Sequence, residues 1–239
     1  MVFSLSESRA GKPVGKVESV AGRWLLWVDG VGGYLLLPGD DWTIGGPSGS
    51  EDAEICLQGD LSRREACIRR QGRDYVLQPL GTVLLGGRRM NRPTMLRDGD
   101  FLTLGSGAAE TSAGSFAGLT AQSFSGPIVR GVRMEFSMPH PLSASARLQL
   151  DKRHKSRPRS DAIILLADTC ILGPTRSSHI WTPLATGELV LLHRDGKWFC
   201  RGEGETIVDG QASQGRVPVP VGGRVEANGL VFTLEALPS

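Results

Sequence analysis

Apolar residues in this chain come in short runs with a period of two, each broken within a few positions by a turn signal. That pattern constrains the fold more than any other feature of the sequence. Ala66 and Ile68 alternate with Cys67 and Arg69, and Leu102 and Leu104 alternate with Phe101 and Thr103. A repeat of two places alternate side chains on one face of a strand, so each run reads as a strand with one side on a core. Asp98-Gly99-Asp100 stands directly before the second of these runs as a turn signal. Trp24-Leu25-Leu26-Trp27-Val28 is an earlier strand; Asp29-Gly30 and Gly32-Gly33 turn the chain, and Tyr34-Leu35-Leu36-Leu37 returns as its hairpin partner. With 32 Gly and 14 Pro among 239 residues, the chain has the punctuation that an all-β protein with many turns needs.

From Trp42 to Gly105 the pieces follow one order: Ile44-Gly45-Gly46-Pro47, Ala53-Glu54-Ile55, Leu61-Ser62-Arg63-Arg64-Glu65-Ala66, Tyr75-Val76-Leu77, and Gly99-Asp100 through Gly105. This order resembles the forkhead-associated (FHA) domain, a β-sandwich that typically recognises phosphothreonine peptides through loops at one end. The resemblance rests on an Ile-Gly turn, an Asp/Glu-Ile strand, a Ser-Arg run followed by Ala, and a Gly-Asp ending. It implies that Ser62 hydrogen-bonds a phosphate, with Arg63 or Arg64 supplying charge. The departures fall on the family's other ligand positions. Gly46 or Pro47 stands where the family has its phosphate-gripping Arg, Glu65 where it has His, and Leu80-Gly81-Thr82 where it has Asn-Gly-Thr. A bidentate Arg supplies much of the strength and orientation of phosphate binding, and a Glu beside the anion repels it.

A second, more diverged copy follows. Ala146–Leu150 and Ala162–Leu166 resemble its first two strands. Ile171-Leu172-Gly173-Pro174 echoes Ile44-Gly45-Gly46-Pro47, and Gly222-Gly223-Arg224 stands where Gly99-Asp100 stood. Repeated units in one order imply a tandem duplication. The expected organisation is therefore a loose tail over 1–20, an FHA-like antiparallel β-sandwich over 21–138 with an inserted loop at 105–127, a short linker marked by Pro139 and Pro141, and a degenerate second sandwich over 143–236. In the second copy Arg176 is the one anion-binding candidate.

Two stretches carry concentrated positive charge. Arg63, Arg64, Arg69, Arg70 and Arg73 cluster along the chain around the Ser62 turn. Lys152, Arg153, Lys155, Arg157 and Arg159 share the run from 152 to 159, read as an exposed hairpin loop. Basic runs of this kind attract polyanions without needing a fold, which leaves a polyanion- or nucleic-acid-associated protein as the alternative to an interaction module. The formal charge of +2 and the absence of aromatics interleaved with the arginines disfavour nucleic acid.

No catalytic motif is present. The sequence lacks a phosphate-binding glycine loop, a His-Glu-x-x-His pair and a Gly-x-Ser-x-Gly elbow, and its four histidines stand apart. The expectation is a non-enzymatic FHA-type protein–protein interaction module with weakened or lost phosphothreonine recognition, serving as a signalling or scaffold component. It calls for no cofactor and no metal, and its partner is a protein, with a phosphothreonine peptide as the family's ligand. Four widely spaced cysteines, no apolar run near the length of a bilayer, and a polar start without a secretory core point to the cytoplasm and away from membranes.

Overall fold

The computed structural model describes residues 22–47, 53–106 and 131–238. The tail expected over 1–20 and most of the inserted loop expected over 105–127 lie outside the described residues. Everything described is strand, turn or irregular; there is no helix among these residues, and so none long and apolar enough to cross a membrane. The strands are β1 (Arg23–Val28), β2 (Gly32–Pro38), β3 (Asp41–Gly45), β4 (Ile55–Leu57), β5 (Ala66–Gln71), β6 (Asp74–Pro79), β7 (Val83–Leu85), β8 (Arg88–Arg89), β9 (Thr94–Leu96), β10 (Asp100–Leu104) and β11 (Val132–Ser137). They continue with β12 (Ala146–Leu150), β13 (Ser156–Arg157), β14 (Ala162–Leu166), β15 (Thr169–Gly173), β16 (Ile180–Trp181), β17 (Leu189–Arg194), β18 (Lys197–Val208), β19 (Gln211–Val219), β20 (Arg224–Ala227) and β21 (Leu230–Leu237). The protein is all-β.

One set of strand pairings occurs twice. In the first half β3 runs parallel to β4 and antiparallel to β5, β5 pairs β6, β6 pairs β9, β7 pairs β8 and β10, and β10 pairs β11. In the second half β15 runs parallel to β16 and antiparallel to β17, and β17 pairs the first part of β18. The long strand β18 shifts register between Arg201 and Glu205, so its two parts play the roles that β6 and β7 play separately. Its first part pairs the end of β19, its second part pairs the start of β19 and β20, and β20 pairs β21. The tight turns Asp195-Gly196, Asp209-Gly210 and Asn228-Gly229 hold positive φ at both positions, the backbone that matches the twist of a two-residue hairpin.

The hairpins that precede each set do not join the set that follows them in the chain. β1–β2 pairs through β1 with β21, the last strand of the second half. β12–β14 pairs through β12 with β11, the last strand of the first half. Each half therefore completes its sheet with the hairpin that precedes the other half, an exchange of similarly placed elements like that in swapped dimers, here within one chain. The two hairpins then meet, because β2 and β14 pair in parallel from Tyr34↔Ala162 to Pro38↔Leu166. The result is one sheet of fifteen strands running through both halves, and a second sheet of six in the order β13-β4-β3-β5-β6-β9.

The side chains of β2 and β14 show why this arrangement is stable. Leu35 and Leu37, with Ile163 and Leu165, enter one core; Tyr34 and Leu36, with Ala162, Ile164 and Leu166, enter another. The first core lies between the six-stranded sheet and β14-β12-β11-β10-β7, around Trp42, Tyr75 and Phe136. The second lies where the long sheet folds over itself at β18, around Trp198 and Phe232. The unbroken apolar runs Tyr34–Leu37 and Ala162–Leu166 thus belong to strands buried on both faces. The Tyr75 hydroxyl donates to the Ala144 carbonyl at 2.6 Å, so a first-half side chain fastens the segment leading into the exchanged hairpin. Burial pushes that phenol well above its ordinary range.

If the halves are held by exchanged hairpins, cutting the segment between them will not release them. Cleavage at a protease site inserted at Leu142, which is 84% exposed, is expected to leave both fragments in a single peak on native size-exclusion chromatography, separating only in denaturant. Two separate native peaks would contradict the exchange.

Candidate functional site

Strand directions decide which loops share an end. β3 finishes at Gly45, β4 runs beside it in parallel, β5 begins at Ala66, β6 ends at Pro79 and β7 begins at Val83. Residues 46–47 and 53–54 and the connections 58–65 and 80–82 therefore gather at one end of the first sandwich. The segment after β10 joins them, since the Gly105 amide donates to the Thr82 carbonyl at 3.0 Å. So does the segment after β12, where the Asp151 amide donates to the Arg133 carbonyl at 3.0 Å.

Glu65 locks this end. It is 2% exposed and turned inward. Its Oε2 accepts from the Ser62 amide at 2.8 Å and its Oε1 from the Thr82 amide at 2.5 Å. Its own carbonyl accepts from the Leu80 and Gly81 amides at 2.9 and 2.8 Å, and its amide donates to Ile44 at 2.8 Å. One carboxylate thus satisfies backbone donors of two loops, a strong use of an ionised acceptor. Glu65, at the position of the family's His, is turned inward, and both of its carboxylate oxygens bond loop amides. Gly81 is required beside it: a Cβ there would lie 2.3 Å from Oε1.

Ser62, Arg63 and Arg64 are exposed on the loop that Glu65 holds. Neither arginine takes part in an ion pair among the described residues. Their backbone packs on the end of β3: a Cβ on Gly45 would sit 1.8 Å from the Arg63 carbonyl oxygen, and one on Gly46 would sit 2.7 Å from that of Leu61. Both positions admit glycine alone without moving the loop, so an arginine at 46 has no room in this geometry.

The basic cluster read along the chain divides. β5 carries Arg69 and Arg70 away from Ser62, where they pair with Asp41 at 2.5 Å and with Asp40. Arg73 donates to the Pro141 carbonyl near the linker. Only Arg63 and Arg64 remain at the loop end. A period of two cannot show this, because it does not say how far a strand carries its later residues from its first.

The run 152–159 is more than an exposed loop. Its middle forms β13, which pairs with β4 at Ser156↔Leu57 and Arg157↔Cys56, and the Gln58 amide donates to the Lys155 carbonyl at 2.9 Å. Ser156 is buried, while Lys152, Arg153, Lys155, Arg157 and Arg159 are exposed. Nothing in the sequence signals this pairing, since two polar residues carry no strand pattern.

The second sandwich presents its own loop end: 174–179, 182–188, the bulge at 202–205 and the turn at Asn228. Asn228 ties them, accepting from the Glu203 amide at 3.1 Å and donating to the Glu188 carbonyl at 2.8 Å. Arg176 lies over the Trp181 ring at 5.0 Å, and the Trp181 indole donates to the Pro174 carbonyl at 3.0 Å. Because β2 and β14 are parallel and in register, the two loop ends face the same side of the molecule. No group of three or more His, Cys, Asp or Glu side chains among the described residues is placed to hold a metal ion.

His179 supports the second end from within. Fully buried, its Nδ1 accepts from the Ile171 amide at 3.0 Å, and its Nε2 faces the Ser145 carbonyl at 3.3 Å. Burial, opposed by the Ser145 bond, lowers the imidazole to about 4.

No family model and no curated protein matches the chain. A solved structure named "Rv0020c_FHA Structure" is similar over 38% of this chain and 91% of its own, at 24% identity and a TM-score of 0.26.

Two outcomes follow from these side chains. Replacing Glu65→Ala leaves the Ser62 and Thr82 amides without their acceptor and is expected to cost about 2–3 kcal/mol in urea unfolding. A loss below about 0.5 kcal/mol, the range of ordinary surface changes, would contradict the lock. For His179, the unfolded imidazole takes a proton near its ordinary value while the native one resists to about 4. Its contribution is therefore complete above the unfolded value and is lost as pH falls toward 4, on the order of 3 kcal/mol in total. The urea midpoint is expected to fall across this window and to fall less steeply in His179→Gln; equal slopes would contradict the assignment.

Proposed function

We propose that the chain is a non-enzymatic protein–protein interaction module made of two tandem FHA-type sandwiches, the second more diverged, and that the first copy binds its partner without phosphothreonine recognition. The observation that carries this reading is the packing at Gly46. Gly46, which with Pro47 stands where the family has its phosphate-gripping Arg, is pressed against the Leu61 carbonyl, where a Cβ would approach to 2.7 Å. Glu65, at the family's His, spends its carboxylate on loop amides. What persists is the framework that presents loops at a rigid end, and binding residues are commonly set on loops held by such a scaffold. Arg176, stacked on Trp181, is the matching candidate at the second end.

The nucleic-acid alternative is weakened, because Arg69 and Arg70 are committed to acidic partners at the far end of β5. The reading also places the protein in a reducing compartment such as the cytoplasm, which suits four cysteines that form no disulfide.

Peptides differing only in phosphorylation of a central threonine test the proposal. Isothermal titration is expected to give affinities within about twofold of each other, a difference under about 0.5 kcal/mol. A preference of about tenfold or more for the phosphorylated peptide, worth about 1.4 kcal/mol, would overturn it.

A further inference from the structure

The hairpin exchange delivers the basic run to a place that the sequence does not suggest. β12 runs toward the loop end of the first sandwich, β14 starts from that same end, and the connection between them crosses to the edge of the six-stranded sheet. Gly45, Cys56 and Arg157 stand side by side on β3, β4 and β13, so Arg157 lies two strand spacings, about 10 Å, from Gly45. Gly45 in turn touches the Arg63 carbonyl. Lys155 faces Gln58, at the start of the loop that carries Ser62, Arg63 and Arg64.

Two basic segments some ninety residues apart in the chain are thus brought to the same end of the first sandwich: Arg63 and Arg64 from the first half, and Lys152, Arg153, Lys155 and Arg157 from the second. None of the six is in an ion pair among the described residues. The carboxylates nearby are engaged otherwise. Glu54 accepts from the Thr43 amide, Asp151 from the Arg153 amide, Asp161 from the Gly33 amide, Asp60 from the Ser106 hydroxyl, and Glu65 is buried. The six basic side chains are therefore left outside salt bridges among the described residues, able to meet an incoming anion.

We propose that this composite surface, built by the exchanged hairpin on the end of the first sandwich, binds an acidic segment of a partner protein through a run of carboxylates. The proposal rests on reading that end as the protein-binding one, and it names the partner's chemistry. Charges spread across two spacings of sheet match several carboxylates in series better than one phosphate, which is gripped best by a converging fork. Nucleic acid fits less well. No large exposed aromatic lies in 58–64 or 151–161 to stack on bases, and no helix among the described residues is available to enter a groove.

The test uses the full chain and a fluorescent octaglutamate peptide, read by anisotropy, with a neutral Gly-Ser peptide as control. Octaglutamate is expected to bind and the control not to. Affinity is expected to drop as salt rises from about 50 to about 200 mM, the range over which screening of exposed charges deepens. Arg63→Gln with Arg64→Gln, and separately Lys152→Gln, Arg153→Gln and Lys155→Gln, are each expected to weaken binding about tenfold, as loss of exposed complementary charge does. Arg63→Lys with Arg64→Lys, which keeps the charge, is expected to bind like the parent and guards against a folding defect. The proposal is overturned if octaglutamate binds no better than the control, if either neutralised set binds as the parent does, or if duplex DNA of equal charge displaces the peptide at lower concentration. A phosphothreonine preference would instead defeat the functional reading while leaving these outcomes to stand on their own.

Discussion

The parallel ladder between β2 and β14 is the contact on which the rest of the molecule depends. Parallel strands are ordinarily found where both faces are covered, and here each face is covered by a different core. Fully burying an aliphatic side chain stabilises a fold by roughly 1.5–3 kcal/mol. Leu35, Leu36, Leu37, Ile163, Ile164 and Leu165 are all buried to 2% or less, divided between the two cores by the alternation of the strand. A change at any one of them removes packing from one core, while the strand it sits on still serves the other. The two sandwiches therefore share their central strands.

Several larger features follow from that ladder. Because β2 and β14 point the same way, the two loop ends open on the same side. Because their hairpins finish the opposite sheets, the last strand of each half has the other half's hairpin as its neighbour. The connection from β12 to β14 then has to leave from the first sandwich's loop end and return to it, which puts 151–161 beside 58–65. The corresponding connection between β1 and β2 is a tight turn at Asp29–Val31, packed near Leu184 at the second loop end. Only one of the two exchanged hairpins carries a basic arm.

Much of the strand content was legible in the sequence. Trp24–Val28, Val132–Phe136, Ala146–Leu150 and Leu230–Leu234 all show alternation or apolar runs bounded by turn residues, and each lies in a strand. The turn at Asp29–Gly33 also made the β1–β2 hairpin legible, but the partners across the two halves were not, because alternation states which face is buried and says nothing of which strand lies alongside. The runs Tyr34–Leu37 and Ala162–Leu166 held the missing clue: a strand apolar at every position has a core on both sides. The loop end was legible as a framework, through Gly45, Ser62 and Ala66. The role of Glu65 was not, since a carboxylate beside an anion site and one buried against loop amides look the same in one dimension. For the same reason the arginines of β5 read as a single cluster, though the strand carries Arg69 and Arg70 to its far end.

Backbone nuclear Overhauser effects across the strands report the hairpin exchange without any intermediate step. Contacts are expected between β1 and β21, as between Leu26 and Leu234, and between β12 and β11, as between Leu148 and Phe136. Contacts of β1 with β11 and of β12 with β21, each hairpin closing the half it precedes, would contradict it.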